Sequence, residues 1–403
     1  MNSNPISTER ALVKAGRNTW RYRRIKWSVF ILGMATIAQL YDFQALLTQM
    51  SQAFDQTPSY SSYLVSSATV GMAMGLLIFA FIADHFKREQ VMVGSAVSST
   101  LLTLVMPLLS NFDVLIFLNF LKGLCISGTS AVTLAYLTEE VAVKSVGVVI
   151  SFYLAGNTFG GMFGRFFTGL IGGWYNWQTA IFFVGISALL LTLVFLKMIP
   201  DARFFKPLKK PFSYQIKQGI TLLKDRRLLS FYGIGFCLMG GFVSVYNYIG
   251  FRLEAAPFGL PHYVIAFIFL MYIFGITGNL WAGVLSDRYT PQKVVRVTLL
   301  VFVMGTGLLF SSVLGIVLLG LLLTTLAFFS SHTVVGRLVA EFASEQKAMA
   351  TSLYWLSYYM GSSIVGTSSG FFVNAGLWNL FFMTISLLGL ASLGMGYYST
   401  KSR

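Results

Sequence analysis

Charge is scarce in this sequence: Asp, Glu, Lys and Arg together make 11% of its 403 residues, against roughly 25% in a soluble globular domain. The scarcity falls mostly on one sign, with 14 acidic residues against 29 basic ones and a formal net charge of +15. Cysteine is almost absent. Cys125 and Cys237 both lie in apolar stretches, which excludes a disulfide framework and a thiol-rich metal site. Only three histidines occur, His85, His262 and His332; they show no ligand spacing, so no metal is expected and no proton relay is assigned to them. No Gly-x-Ser-x-Gly nucleophile elbow stands out, since the one such string, Gly366 to Gly370, lies within an apolar run, and Gly-Lys-Ser/Thr and His-Glu-x-x-His motifs are missing. Neither a catalytic constellation nor a nucleotide site is therefore expected. Work done by such a chain would draw on an ion gradient, a proton gradient above all, or on the gradient of its own substrate. No secretory signal with a small-residue cleavage site opens the chain.

What the sequence does hold is apolar length. Hydrophobic residues make 56% of it and aromatic ones 16%. Apolar runs fall near 27–50, 62–83, 91–110, 113–137, 145–172 and 177–199, then near 229–251, 262–285, 294–313, 315–336, 348–373 and 377–398. Each is about what a roughly 30 Å hydrocarbon core needs at 1.5 Å per residue. Positive charge tests the count, because basic residues gather in cytoplasmic loops. With the amino terminus inside, 26 of the 29 Lys and Arg fall on inner segments; Arg252 is outside, and Lys122 and Arg165 lie within spans. The pattern predicts an all-α membrane protein of twelve spans with both termini cytoplasmic. Spread in this way, the charge argues against a nucleic-acid face. The basic segment 1–26 is instead placed to touch anionic lipid.

Residues 151–170, SFYLAGNTFGGMFGRFFTGL, organise the rest. Gly156, Gly160 and Gly164 share a helical face where a neighbouring backbone can come close, with Gly161 beside them and Arg165 in the same run. The pattern returns 201 residues on: Ser151, Tyr153, Gly160, Gly169 and Trp177 correspond to Ser352, Tyr354, Gly361, Gly370 and Trp378, and Glu140 to Glu341. Two related six-helix halves are expected, 27–199 and 229–399, joined by a cytoplasmic linker over 200–228 and followed by a short tail at 400–403. Within the linker, residues 212–223 suit an amphipathic surface helix or a solvated connector.

Two inter-span loops carry a shared spacing from a small residue to an aspartate. The first is Ala80-x-x-x-Asp84-His85-Phe86-Lys87-Arg88, and the second Gly283-x-x-x-Asp287-Arg288, followed by Lys293. With the span count, these loops make the whole chain resemble the major facilitator superfamily. The glycine-rich fifth span resembles the twelve-span drug/proton antiporter branch, with Gly160-Gly161 where that branch has Gly-Pro. The whole-chain flavour is similar to bacterial sugar- and drug-efflux permeases. In the fourth span the family's Arg-x-x-x-Gly appears as Asn119-Phe120-Leu121-Lys122-Gly123, so Asn119 replaces the arginine and Lys122 stands one turn on. The resemblance implies a secondary transporter of the bacterial inner membrane, with two pseudo-symmetric halves rocking about a central site. It also implies latches that form and break around Asp84, Lys87, Arg88, Asp287 and Arg288; basic residues there also mark the inner face, which is the plainer reading.

Asp42, Lys122 and Arg165 are the charges set deep in spans, and charges in hydrocarbon are expensive enough to suggest a role. The three are expected to meet, Asp42 as proton carrier with Lys122 and Arg165 as partners. A buried structural ion pair is the alternative. Two cations against one carboxylate would favour an anionic or zwitterionic cargo, such as an amino-carboxylate metabolite or metallophore, exported by proton antiport. Multidrug efflux of hydrophobic cations, metabolite uptake by symport or uniport, and a sensor that moves nothing remain open. Tyr41, Asn119, Asn157, Tyr246, Asn247, Tyr248 and Tyr354 are further candidates for the lining, and Gly361 for close helix packing. Nothing in the sequence demands an oligomer, so a monomer is expected.

Overall fold

The computed structural model describes residues 14–205, 212–343 and 346–401; the side chains at 80, 81, 84, 212–216, 348, 400 and 401 lie outside the description. Among the described residues it is helical apart from turns and one isolated bridge, Ala15 to Val141. Twelve long helices follow in order: α1 (Trp20–Leu40), α2 (Tyr63–Ile82), α3 (Arg88–Val105), α4 (Phe112–Glu140), α5 (Val143–Trp174), α6 (Trp177–Met198), α7 (Arg226–Glu254), α8 (Tyr272–Arg288), α9 (Pro291–Leu308), α10 (Leu314–Phe342), α11 (Lys347–Ser368) and α12 (Trp378–Lys401). Ten helices or helical runs, the short turns before and after α1, α2 and α8 included, are long and apolar enough to cross a membrane. The remaining two are α9, which opens on Pro-Gln-Lys and carries Arg296, and α11, which is rich in Ser and Tyr.

Short polar caps fix where helices begin. The side chains of Thr19, Asn111, Asn176, Asp225 and Thr290 accept hydrogen bonds from the first-turn N–H groups of α1, α4, α6, α7 and α9. Such caps satisfy donors that have no partner within the helix. α1 therefore starts at Trp20, ahead of the expected residue 27. Its first turns carry Arg21 and Arg24, whose guanidinium groups reach Asp201 O, Lys197 O and Met198 O. Glu140, wholly buried, completes this clip: it pairs with Arg21 at 2.6 Å and accepts from the Arg203 and Phe204 amides. The connector holds a helix over Phe212–Lys224, so the helical alternative for that segment is the one found.

The glycine stripe works as its spacing predicts. A Cβ added at Gly156, Gly160 or Gly164 would meet the backbone of Phe30, Met34 or Ala38 in α1, and one added at Gly361 would meet Phe236 in α7. Gly160 against Met34 and Gly361 against Phe236 are thus nearly the same contact, repeated about 200 residues on. Gly161 has another job, because a Cβ there would sit 3.0 Å from the Arg165 guanidinium. Further along α5, Gly169 and Gly173 lie against Ala266 and Tyr263, at the turns that lead into α8.

At the end of the bundle away from the chain termini, here the far end, several spans are interrupted, those of α2 and α11 by single turns at Ser62 and Ser369 and those of α1 and α8 over longer stretches. After Leu40 the chain turns through Tyr41, Asp42 and Phe43 before the short helices Gln44–Leu46 and Leu47–Ala53. The approach to α8 is similar, with His262–Ile265 and then a tight turn of helix over Ala266–Met271. Replacing Gly160 with Leu is expected to cost about 1–3 kcal/mol through overpacking, read as a lower melting temperature and a lower yield of monodisperse protein. Gly147→Leu, where nothing lies within 4 Å, should leave both unchanged.

Candidate functional site

Asp42 sits in the α1 break, where its side chain competes for backbone donors that a continuous helix would use. Its Oδ1 accepts from the Phe43 amide at 2.9 Å. Lys122 of α4 donates to both carboxylate oxygens at 2.8 Å, and its ammonium lies 5.3 Å from the centre of the Phe43 ring. Both side chains have no exposed surface. In that position the two charges neutralise one another, and neither has water as an alternative partner.

Arg165 is nearly buried, and it does not join that pair. Its Nε donates to Gln44 Oε1 at 2.6 Å and its Nη1 to Gly161 O at 2.7 Å. Its Cζ lies 4.1 Å from the centre of the Tyr41 ring and 4.8 Å from that of Tyr272. Among the described residues no carboxylate lies within ion-pairing distance of it. The expected three-charge cluster is therefore split. Asp42 has Lys122 for itself, while the Arg165 cation rests on aromatic faces and amide oxygens. The physical reason is the α1 break: it turns Asp42 toward α4, while Tyr41 and Gln44 remain beside α5.

Gln44 also ties the two groups of helices together. Its Nε2 donates to Asn247 Oδ1 at 2.7 Å, and Asn247 Nδ2 donates in turn to Gly366 O at 3.3 Å. Around this relay the far end is shut. Thr48 bonds Glu254 and His262, Ser59 bonds Asn374 and Thr367, and Ser66 bonds Ser363 and Thr367. A cavity of only about 20 Å³ remains beside Gln44, Asn247 and Tyr246, room for one water at most. A lateral groove of about 790 Å³ runs between α2, α4 and α11, lined by Tyr63, Phe117, Phe120 and Phe371 among others. None of the residues singled out in the sequence borders it.

The other candidates divide between contact and packing. Asn119 Nδ2 donates to the Leu64 carbonyl and so fastens α4 to α2. Tyr246 bonds Thr325 at 2.7 Å, and Tyr248 donates to Thr367 O; both are buried packing elements. Asn157 is half-buried, and its Oδ1 has no hydrogen-bond partner. Tyr354 shares a 2.8 Å hydrogen bond with His332 Nδ1. Sequence reasoning set His332 aside as a residue near a span end. It lies instead well inside α10, ringed by Phe328, Tyr354, Trp355 and Tyr358. Phe328 is one turn away on the same helix, whereas Tyr354, Trp355 and Tyr358 come from α11 and are not signalled by the local sequence. Gln44 was also missed, although an amide three residues after Tyr41 in an apolar run was a usable signal.

At the termini end the carboxylate of the second latch has a different partner from the one expected. The side chain of Asp84 lies outside the described residues, and Lys87 is exposed. Arg88 reaches Glu139 at 3.2 Å and the Ala83 carbonyl at 2.9 Å. Asp287 pairs at 2.7 Å with Arg337, which also holds Glu341; Arg288 turns toward the Tyr289 ring instead. The carboxylate thus reaches across to α10, since its neighbour in sequence points off the other side of the helix end. Among the described residues, no group of three or more His, Cys, Asp or Glu is placed to hold a metal.

Lys122→Gln or Asp42→Leu alone should destabilise the fold by about 3–5 kcal/mol, because each leaves one buried charge unpaired, whereas the double variant Asp42→Leu/Lys122→Met should recover most of that loss. Thermal unfolding in one detergent measures all three.

Residues 28–279 match the profile of the Major Facilitator Superfamily. The chain is 33% identical over 392 residues to the inner membrane transport protein YnfM of Escherichia coli (strain K12), covering 97% of this chain and 93% of that protein. It is 34% identical over 356 residues to an uncharacterized transporter of Buchnera aphidicola subsp. Schizaphis graminum (strain Sg), covering 88% and 86%. In fold it is similar to the crystal structure of a bacterial homologue of the human lysosomal transporter Spinster in an inward-facing and occupied conformation, with a TM-score of 0.80, 12% identity, and 95% and 97% of the two chains covered. The helical architecture, the profile match and the extent of the likeness to these transporters agree, and this chain belongs to the major facilitator superfamily.

Proposed function

We propose that this membrane transporter exports a small anionic or zwitterionic organic molecule across the bacterial inner membrane by proton antiport. In this reading twelve spans form two six-helix halves, 27–199 and 229–399, that rock about a central site with both termini in the cytoplasm. One observation carries the charge class: Asp42 and Lys122 neutralise each other in the interior, which leaves the nearby Arg165 cation without a carboxylate among the described residues. An anionic group on the cargo would supply the missing charge. A cationic drug would not. Asp42, held by one ammonium and one backbone amide, is the group that would exchange its proton as cargo arrives and leaves.

The direction of opening fits this reading. Cross-bundle hydrogen bonds cluster at the far end, while Arg21, Arg24, Arg88, Arg288, Lys293, Arg296 and Arg337 crowd the other. Basic residues gather on the cytoplasmic side, which supports reading the shut far end as the outer one. On this view the pairs of Arg88 with Glu139 and of Asp287 with Arg337 are each made within one half. They would brace the inner ends rather than bridge them.

The deciding measurement is the pH response of purified protein in weakly buffered detergent to pooled anionic, zwitterionic and cationic metabolites and drugs. Proton release on adding the anionic or zwitterionic pool is expected, lost in Asp42→Asn that still melts cooperatively. Release caused only by hydrophobic cations would overturn the charge class. An undiminished response in Asp42→Asn would overturn the assignment of the proton site. In proteoliposomes, Arg337→Gln should change the transport rate while leaving substrate affinity within about twofold, because its ion pairs are exposed and individually weak.

A further inference from the structure

We infer that the cargo bound at Arg165 is an aromatic carboxylate. This rests on the anionic reading given above and narrows it. Arg165 is the first observation. Of the five N–H donors of a guanidinium, Nε and Nη1 have the partners named, and Cζ lies over the Tyr41 and Tyr272 rings. Two nearly parallel N–H groups on a guanidinium edge suit a carboxylate in a way that no single-atom acceptor matches.

The second observation is a continuous run of rings that begins at the same cation. Tyr272 meets Phe242 at 5.8 Å and Phe329 at 5.4 Å. Phe242 stacks on Phe328 at 3.9 Å with 6° between planes, Phe328 on His332 at 8°, and His332 on Tyr354 at 16°. Four nearly parallel rings from α7, α10 and α11 thus face one another in series, with Trp355 and Tyr358 at the side. A core built only for packing has no use for an imidazole in this stack, because aliphatic side chains fill such space without a polar atom.

Two polar details point to a ligand rather than to packing. The Tyr272 hydroxyl is buried and has no hydrogen-bond partner, which a finished core avoids. His332, Phe329 and Trp355 keep part of their surface open although rings surround them. A planar ring on a short acidic arm would place its carboxylate on Arg165 and within reach of the Tyr272 hydroxyl. Its ring would then lie against faces that attract the positive edge or offset face of another ring. An aliphatic acid gains the charge contact and loses the ring contact.

The experiment uses full-length protein in detergent and measures binding by calorimetry for phenylacetate, its saturated analogue cyclohexylacetate and its neutral analogue phenylacetamide. Phenylacetate is expected to bind, cyclohexylacetate about three- to tenfold more weakly, in line with the worth of one aromatic contact. Phenylacetamide should bind at least about tenfold more weakly, having lost a charge-assisted bidentate contact. In Tyr272→Leu the acids should come within about twofold of each other. Phe329→Leu serves the same purpose if Tyr272→Leu does not melt cooperatively. Equal affinity for the two acids in the unaltered protein overturns the aromatic class. So does binding of aliphatic amino-carboxylates with phenylacetate silent, which would leave anion export standing. Equal affinity for acid and amide removes the carboxylate contact, and binding of hydrophobic cations alone removes both readings.

Discussion

A guanidinium that cannot lose its proton, held in the interior with no carboxylate beside it among the described residues, is the constraint around which much of the surrounding structure is arranged. Arg165 needs Gly161 bare beneath it, the Gln44 amide turned toward it, and two tyrosine faces within 5 Å. Those demands bring together α5, the break after α1 and the start of α8. Through Gln44 the same amide chain continues to Asn247 of α7 and the Gly366 carbonyl of α11. A change in what Arg165 binds is therefore felt directly at the far-end closure, through a single side chain.

The two interior cations illustrate different solutions to one expense. Lys122 is a compact, strongly hydrated charge, and it has a full counter-ion at 2.8 Å. Arg165 is planar and more weakly hydrated, so aromatic faces and neutral oxygens can hold it. Exchanging the two residue types would fail at both places. A lysine at 165 would lose the ring contacts along with the Nε and Nη1 bonds, and an arginine at 122 would not fit a wholly buried slot.

Much of the helical fold was legible because hydrocarbon imposes simple rules of length and apolarity. Gly156, Gly160 and Gly164 were readable as a close-packing face from spacing alone, and Gly361 from the repeat. The depth of Asp42, Lys122 and Arg165 could also be read. Their partners could not, since a break of three residues at Tyr41 decides which way each side chain turns, and apolar periodicity hardly registers such a break. The same holds for Arg337, which takes Asp287 from its neighbour Arg288, and for His332, whose stack draws rings from α7 and α11 as well as from its own helix. Pairings between helices are set by tertiary contact, which short-range pattern does not encode.

The bare stretch of α5 at Gly169 and Gly173 has a mechanical meaning. Where α5 meets the turns before α8, backbone at Gly169 and Gly173 lies against Ala266 and the Tyr263 main chain, beside an edge-to-face contact of the Phe166 and Phe267 rings at 5.4 Å. Interlocked side chains must unkey before helices roll, whereas a surface of backbone and hydrogen atoms has little to unkey. The serine and threonine bonds that join α2 and the turn before it to α11 are of another kind, discrete fasteners that open one at a time. One flank of the far end is thus a smooth bearing and the opposite flank a zip, and a bundle so built turns about the first while it parts along the second.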